Sequence, residues 1–468
     1  MNASTTFVES TVAAGRWKRR IIALTGIVAI LFVAWLWITH LFTSRWEGYA
    51  AALRADGAPL TLEEIEASRS RLPEDQNGAI IVQGLFERLE SLKREAGASV
   101  LVLGAEQPVV DFLAGLPTAS IQPTREFREA HRDLLDVLRK LRDRPTGRFH
   151  LERGRTAIES LLPEMGPVRN ASKLLHLDGL MRLVDGDMPG ASENIIVSLH
   201  LAGTLDEHPT LIGRLVQMAV ENQAARLLEA SLAAGQFDDA TLVDLSHEWD
   251  RRIRTATLQW ALWGERAIFV ETCDDLIAGR LQYPNLTEKP SFPFIPDALL
   301  RVNQLRGTDL WTKYMADLRT TSRPMEVTAG FEQTIQQLPK TQLVARALLP
   351  SIGRAITLHL RIEAELKSAR CALAAERFRL AQGRFPNTLG ELTPTFLDAV
   401  PRDPFIDAEL RLAVNDQGIT IYSVNNNAID DGGSLAPVKT RGRDTLDIGF
   451  RLRLPSERTL VFLPAEEQ

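Results

Sequence analysis

Four carboxylates share one stretch of the chain: Glu265, Glu271, Asp274 and Asp275. Glu271 and Asp275 are four residues apart, so a helix would place them on one face. Paired carboxylates are the groups that glycoside hydrolysis uses, and they also bind divalent metals. A run of acids on a long helix is equally the ordinary makeup of a solvent-facing surface, and that is the expectation here. Eight histidines occur, none in a zinc-site spacing. His200 and His208 lie about two helical turns apart, but Pro209 marks a helix boundary between them and the next element. His176 and His359 fall in apolar stretches and read as core or boundary residues. There is no Gly-x-Ser-x-Gly elbow, phosphate loop or dinucleotide fingerprint. Two cysteines, Cys273 and Cys371, are too few for a disulfide scaffold, a four-cysteine zinc site or an iron–sulfur cluster. A bond between them would close a long loop; two buried free thiols are the expectation.

The elements that hold these residues begin with a membrane segment. Ile21 to Phe42 reads IIALTGIVAILFVAWLWITHLF, without one formal charge. At 1.5 Å per residue it is about 33 Å long, enough for a hydrocarbon core of about 30 Å. The bulky Trp35, Trp37, His40 and Phe42 stand where a cleavage site would need small residues, so the segment reads as a retained anchor in contact with a lipid bilayer. Arg16, Lys18, Arg19 and Arg20 precede it against the single acid Glu9, while Arg45 and Arg54 beyond it are diluted by Glu47 and Asp56. Positive residues favour the cytoplasmic side. The expectation is a single-pass bacterial inner-membrane protein, N-terminus inside, with the bulk of the chain extracytoplasmic. His40 reads as interfacial. The net charge of −6, from 54 basic and 60 acidic residues, gives no basic footprint for nucleic acid.

The composition, 45% hydrophobic and 24% charged, is globular. Beyond the anchor the chain reads as mainly α, an irregular helical bundle or solenoid followed by a small α+β module. Thr61 and Glu64 form a capping box for a first helix. Helical periodicity predicts further helices over 78–95, 125–142, 173–185, 191–207, 211–234, 239–249, 252–279, 297–318 and 331–348. The 173–185 and 191–207 pair, joined by Gly186–Gly190, makes an antiparallel hairpin that faintly resembles a tetratricopeptide unit at Gly179 and Ala191. No repeat period recurs. Residues 100–103 allow a short strand. Pro284, Pro290, Pro293 and Pro296 exclude a helix over 281–296, where Tyr283, Phe292 and Phe294 would pin a loop or meet a partner.

The character changes near Ser351. Leu358, Ile362, Leu366, Ala369, Leu373 and Leu380 stripe one long helix, and Gly383 ends it. Alternating Leu410, Leu412 and Val414, then Thr420, Tyr422 and Val424, read as a hairpin around Asn415–Gly418. Ile448, Phe450 and Leu452 alternate again, and 460–463 allows one more strand. This end of the chain, about 95 residues, resembles the globular head of the major pseudopilin of type II secretion systems. The resemblance rests on Ala372–Phe378, Gly383-Arg384-Phe385-Pro386, Pro401-Arg402-Asp403-Pro404-Phe405, Tyr422-Ser423, Asp430-Asp431-Gly432-Gly433 and Asp447-Ile448. The whole layout also resembles membrane proteins of planctomycete-type bacteria.

The pseudopilin resemblance implies a calcium loop, with Asp430, Asp431, Asp444 and Asp447 as oxygen donors beside Ser423 or main-chain carbonyls. Calcium takes 6–8 oxygens from flexible loops. The plain alternative is a solvated Asp-Gly turn next to Asn425-Asn426-Asn427. The expected organisation is a cytoplasmic tail (1–20), the membrane helix (21–43), a helical extracytoplasmic domain (44–350) and the α+β module (351–468). With no catalytic constellation in the sequence, the expected role is non-enzymatic: a tethered interaction or scaffold protein of the bacterial envelope with a protein partner. A component related to the secretion machinery, or a carboxylate-dependent envelope hydrolase, are the other readings.

Overall fold

A computed structural model describes residues 4–96, 100–101, 115–152, 154–159, 162–255, 257–281, 295–349, 352–435 and 446–463, with side chains from residue 22 onward except at 158. The fold is mainly α with a few short strands near its C-terminal end. Helix α1 (Ser4–Ala55) carries the apolar segment without interruption. It is the one described helix long and apolar enough to cross a membrane, and none of its most apolar stretch is buried against the rest of the chain.

Local chemistry explains most of the boundaries that follow. Thr61 caps α2 (Leu62–Ser68) by accepting the Glu64 N–H at 3.1 Å, while Glu64 turns its carboxylate to the Leu60 N–H at 2.7 Å. The apolar run over 78–95 forms two helices, α3 (Gly78–Gln83) and α4 (Phe86–Glu95), broken at Leu85, where φ is −114° and ψ is 6°. Strand β1 is Leu116–Pro117. The helix expected over 125–142 is likewise two, α5 (Thr118–Ala130) and α6 (Arg132–Leu138), with the break at His131, followed by a 3-10 turn over Arg139–Asp143. Only 100–101 of the possible short strand, and 281 with 295–296 of the proline-rich loop, lie among the described residues.

Helices α7 (Met165–Val184) and α8 (Met188–Gly203) form the expected hairpin. Gly186 turns it at φ +74°, and Asp187 caps α8 through the Gly190 N–H at 2.9 Å. Thr210 caps α9 (Leu211–Ala234) through the Gly213 N–H. Helix α8 is apolar on nearly every side and buried on every side, which places it at the centre of the bundle. Helices α10 (Asp239–Thr255), α11 (Gln259–Ile277), α12 (Asp297–Thr320), α13 (Pro324–Gln336), α14 (Leu343–Leu348) and α15 (Ile352–Gln382) complete the set. Three expected helices shift: the break between 239–249 and 252–279 falls after Thr255 rather than near 250, and the stretch expected over 331–348 is two pieces that begin at Pro324.

Strands β2 (Arg411–Asn415), β3 (Gly418–Ser423) and β4 (Ile448–Arg453) make an antiparallel sheet in the order β2-β3-β4, with Arg411 opposite Tyr422 and Ile421 opposite Phe450. The Asn415 side chain closes the hairpin by accepting the Gln417 and Gly418 N–H groups. Strand β5 (Phe462–Leu463) pairs in parallel with β1, so the C-terminal segment returns to the start of α5.

Two large cores organise the body. The first joins α3–α10 to the sheet; the second gathers the end of α1 with α11–α14. Helix α15 serves both. Ile352, Ile356, Leu360 and Ala364 lie in the second core, and Ile362, Leu366, Leu373 and Phe378 in the first. The expected boundary near residue 351 therefore coincides with the start of the helix that both cores share.

Candidate functional site

Of the segments that carry the pseudopilin resemblance, Pro401–Phe405 and Tyr422-Ser423 meet at the end of β3, and the acidic loop meets Asp447 beside them. Asp403, in the Pro401–Phe405 segment, is buried and fully used. Its Oδ1 accepts the Phe405 N–H and the Ser423 hydroxyl, both at 2.9 Å, and its Oδ2 accepts the Val424 N–H at 3.0 Å. One carboxylate thus fixes where the strand ends. Asn425 follows in the left-handed region (φ +59°), a conformation asparagine tolerates better than most residues. Its Nδ2 donates to the Leu446 carbonyl, while Arg361 on α15 donates to its Oδ1 at 3.2 Å. The acidic loop is therefore tied on one side to the sheet and on the other to the long helix.

Asp430 is engaged on both oxygens. Its Oδ1 accepts the Tyr422 hydroxyl at 3.1 Å and the Gly432 N–H at 2.9 Å, and its Oδ2 lies 2.8 Å from the Arg411 guanidinium. The Gly432 N–H, followed by the Tyr422 hydroxyl and Arg411, holds its carboxyl below the usual range. Burial and the bond to Asp430 push the Tyr422 phenol up to about 12. Asp447 differs: it is 1% exposed, and its Oδ2 accepts the Asp431 and Gly433 N–H groups at 3.1 and 2.9 Å. Among the described residues its Oδ1 has no hydrogen-bond partner, and neither has the buried Oδ2 of Asp431. Burial raises the Asp447 carboxyl, and the charges of Asp431 and Asp430 add to this against the two N–H donors.

An orphaned carboxylate oxygen in a buried place is costly. Two in one loop are the atoms that a hard cation would take. Of the four expected donors, Asp431 and Asp447 offer free oxygens, Asp430 is committed to Arg411 and Tyr422, and Asp444 lies outside the described residues. Among the described residues no group of three His, Cys, Asp or Glu side chains is arranged to hold a metal, so remaining oxygens for a calcium ion would come from main chain and water.

The helical carboxylates are not the solvent-facing run expected from composition. Glu265 accepts the Leu211 N–H at the start of α9 at 2.9 Å, and burial pushes its carboxyl up. Glu271 accepts the Leu62 N–H at 3.0 Å. Asp274 pairs with Arg301 at 2.6 Å. Asp275 accepts the Ala157 N–H at 3.0 Å and pairs with Arg280. Acids accepting main-chain N–H groups at such distances in sequence are pins that hold loops and helix starts. Glu271, Asp274 and Asp275 do share a cleft of about 370 Å³ with Glu63, Arg155 and Arg280, and Glu265 is not among its lining residues.

Residue types alone do not reveal the histidine pairs. His131 meets Glu95, His200 meets Glu248 at 2.8 Å, and His208 meets the buried Glu164 at 2.7 Å, each across two elements. His176 and His359 are buried as expected. Desolvation brings His176 down to about 4 and His359 well below its ordinary value. Cys273 and Cys371 are buried free thiols, one in each core. Comparison with protein-family models, with curated proteins and with solved structures finds no match for this chain.

Proposed function

We propose that the protein is a membrane-anchored, non-enzymatic interaction or scaffold protein of the bacterial envelope, with its N-terminus in the cytoplasm and its body outside. The observation that carries this reading is the continuity of α1. The apolar stretch stands clear of the body, while Trp46, Ala50 and Leu53 on the same helix are buried in the second core. The basic flank at Arg16–Arg20 supplies the orientation. In cells whose outer layers have been opened, external protease should degrade the body and leave a short membrane-embedded fragment that resists alkaline extraction. A body protected until the inner membrane is broken would reverse the orientation. Turnover of an envelope polymer by the purified chain would end the non-enzymatic reading.

A relation to pseudopilus machinery is the second reading, favoured by the orphaned oxygens of Asp431 and Asp447. Its test is calcium titration of the full chain by thermal melting, because α15 is shared by both cores. Calcium should raise the melting temperature, and Asp431→Ala or Asp447→Ala should abolish the rise. A wild-type chain indifferent to calcium would reduce the loop to a solvated turn.

A further inference from the structure

Helix α1 leaves no spacer between its apolar segment and the folded body. Thr43 and Tyr49 are half-buried, and Trp46, Ala50 and Leu53 are buried. These positions recur every three or four residues, so one face of an unbroken helix enters the core. Tyr49 packs against the second core, close enough to Thr312 and Asp309 of α12 for both to act on its hydroxyl. At about 1.5 Å per residue, Trp46 stands ~6 Å and Tyr49 ~10 Å beyond Phe42 along the axis. The headgroup layer on one side of a bilayer is roughly 5–8 Å deep. The first body contacts of the helix are therefore made at headgroup level.

The body cannot swing away from that level without breaking the helix, since kinks arise at prolines, bulges or disrupted ladders. No proline lies between Phe42 and Ala55, and the helix is continuous there. A spanning helix is tilted by about 20° on average, which lowers one flank of the body further. Arg45 and Glu47 on α1 lie at this level, and Asp309 and Lys313 on α12, beside Tyr49, lie just outside it; all four are exposed and they carry both signs. Mixed charge matches the phosphate and ammonium groups of a zwitterionic phospholipid, whereas a polybasic patch would match an anionic surface.

We propose, resting on the reading that α1 lies in a bilayer, that the body sits directly on zwitterionic phospholipid headgroups, with the Asp309–Lys313 turn of α12 part of the contact. The test uses the full chain in phosphatidylcholine vesicles, with a thiol-reactive fluorophore on Lys313→Cys or Ile30→Cys. The native Cys273 and Cys371 are buried and stay unlabelled under native conditions. The probes are a nickel-chelating lipid, a soluble nickel chelate at the same bulk concentration, and brominated acyl chains. The Lys313 label should be quenched several-fold more by lipid-tethered nickel than by the soluble chelate. Ile30 should be quenched by the brominated chains. If Ile30 is not quenched, the anchor reading and this proposal fall together. If Ile30 is quenched but the Lys313 label responds equally to both forms of nickel, the body is held off the surface and this proposal alone is overturned.

Discussion

Replacing Arg458 by methionine is expected to unlatch the C-terminal segment from the helical body. Its guanidinium is nearly fully buried and meets Glu376 on α15 end-on, Nη1 to Oε1 at 2.7 Å and Nη2 to Oε2 at 2.8 Å. The same group donates to the carbonyls of Gly235 and Arg453. Glu376 is 0% exposed and keeps a second partner, Arg379. Breaking a buried pair costs about 3–5 kcal/mol, because one charge is left without its partner. The retained Arg379 places this case at the low end, about 3 kcal/mol. Unfolding entropy near 2.1 cal/mol/K per residue, over a body of roughly 400 residues, converts that to a fall of about 3–4 °C in melting temperature. Circular dichroism melts read it directly. Adding Glu376→Leu should recover most of the loss, since an apolar pair is often as stable as the buried ion pair it replaces. Burial pushes the Glu376 carboxyl up, but the bonds and charges of Arg458 and Arg379 outweigh this and hold it below its ordinary 4.5. A depressed carboxylate stabilises the fold fully above its unfolded value and loses that contribution as pH falls through the folded one. The gap between wild type and Arg458→Met should therefore be full at neutral pH and narrow below 4.5. An unchanged melting temperature at neutral pH would mean that the segment is only draped over α15, and the latch would be refuted.

Three further outcomes follow from the packing. Gly264→Ala would set a Cβ 1.5 Å from the Pro209 carbonyl oxygen, a main-chain atom that cannot rotate away; a loss of about 3 kcal/mol is expected by urea titration, and a midpoint equal to wild type would refute the close approach. Burial pushes the Cys371 thiol up to about 12 and raises Cys273 as well, so neither should react with a maleimide at neutral pH until denaturant is added, when both should. The Glu248 carboxyl is pushed up by burial but brought down to about 2 by His200 and Arg251; the stability it adds is present above 4.5 and lost as pH falls toward 2, so Glu248→Gln should flatten that acid limb in denaturant titrations.

What the chain makes legible follows the reach of each interaction. The apolar segment is readable because its signal is composition alone, and α12 because Asp297–Thr320 keeps one uninterrupted period. The breaks at Leu85 and His131 are not readable, because the apolar spacing passes through them unchanged. The turns serve the packing of α4 and α5 onto α7, which is tertiary information. The same limit governs the acids on α11. Glu and Asp are hydrophilic, so a run of them reads as surface. Yet Asp275 is 4% exposed, because its acceptor oxygen satisfies an N–H group 118 residues away. Nothing in the local pattern distinguishes such a pin from a solvated carboxylate.

The C-terminal loop is more legible because its contacts are short in sequence. Asp403 reaches Ser423 across 20 residues and Tyr422 reaches Asp430 across eight, so motifs in the right order suffice to bring them together. What order alone does not convey is how the loop depends on the rest of the chain. Arg361 braces Asn425 from a helix whose upper half belongs to another core, and Arg458 returns to Glu376 on that same helix. A module that stood alone would carry its own helix core. Here the helix is shared, so loss of the second core should loosen the acidic loop even with every aspartate intact. Leu360→Ala, in the second core and one residue from Arg361, should cost about 2–5 kcal/mol by the cavity it leaves. It should also speed amide exchange at Asn425 and Asp431. Unchanged exchange there, with stability lowered, would show that the module is autonomous after all.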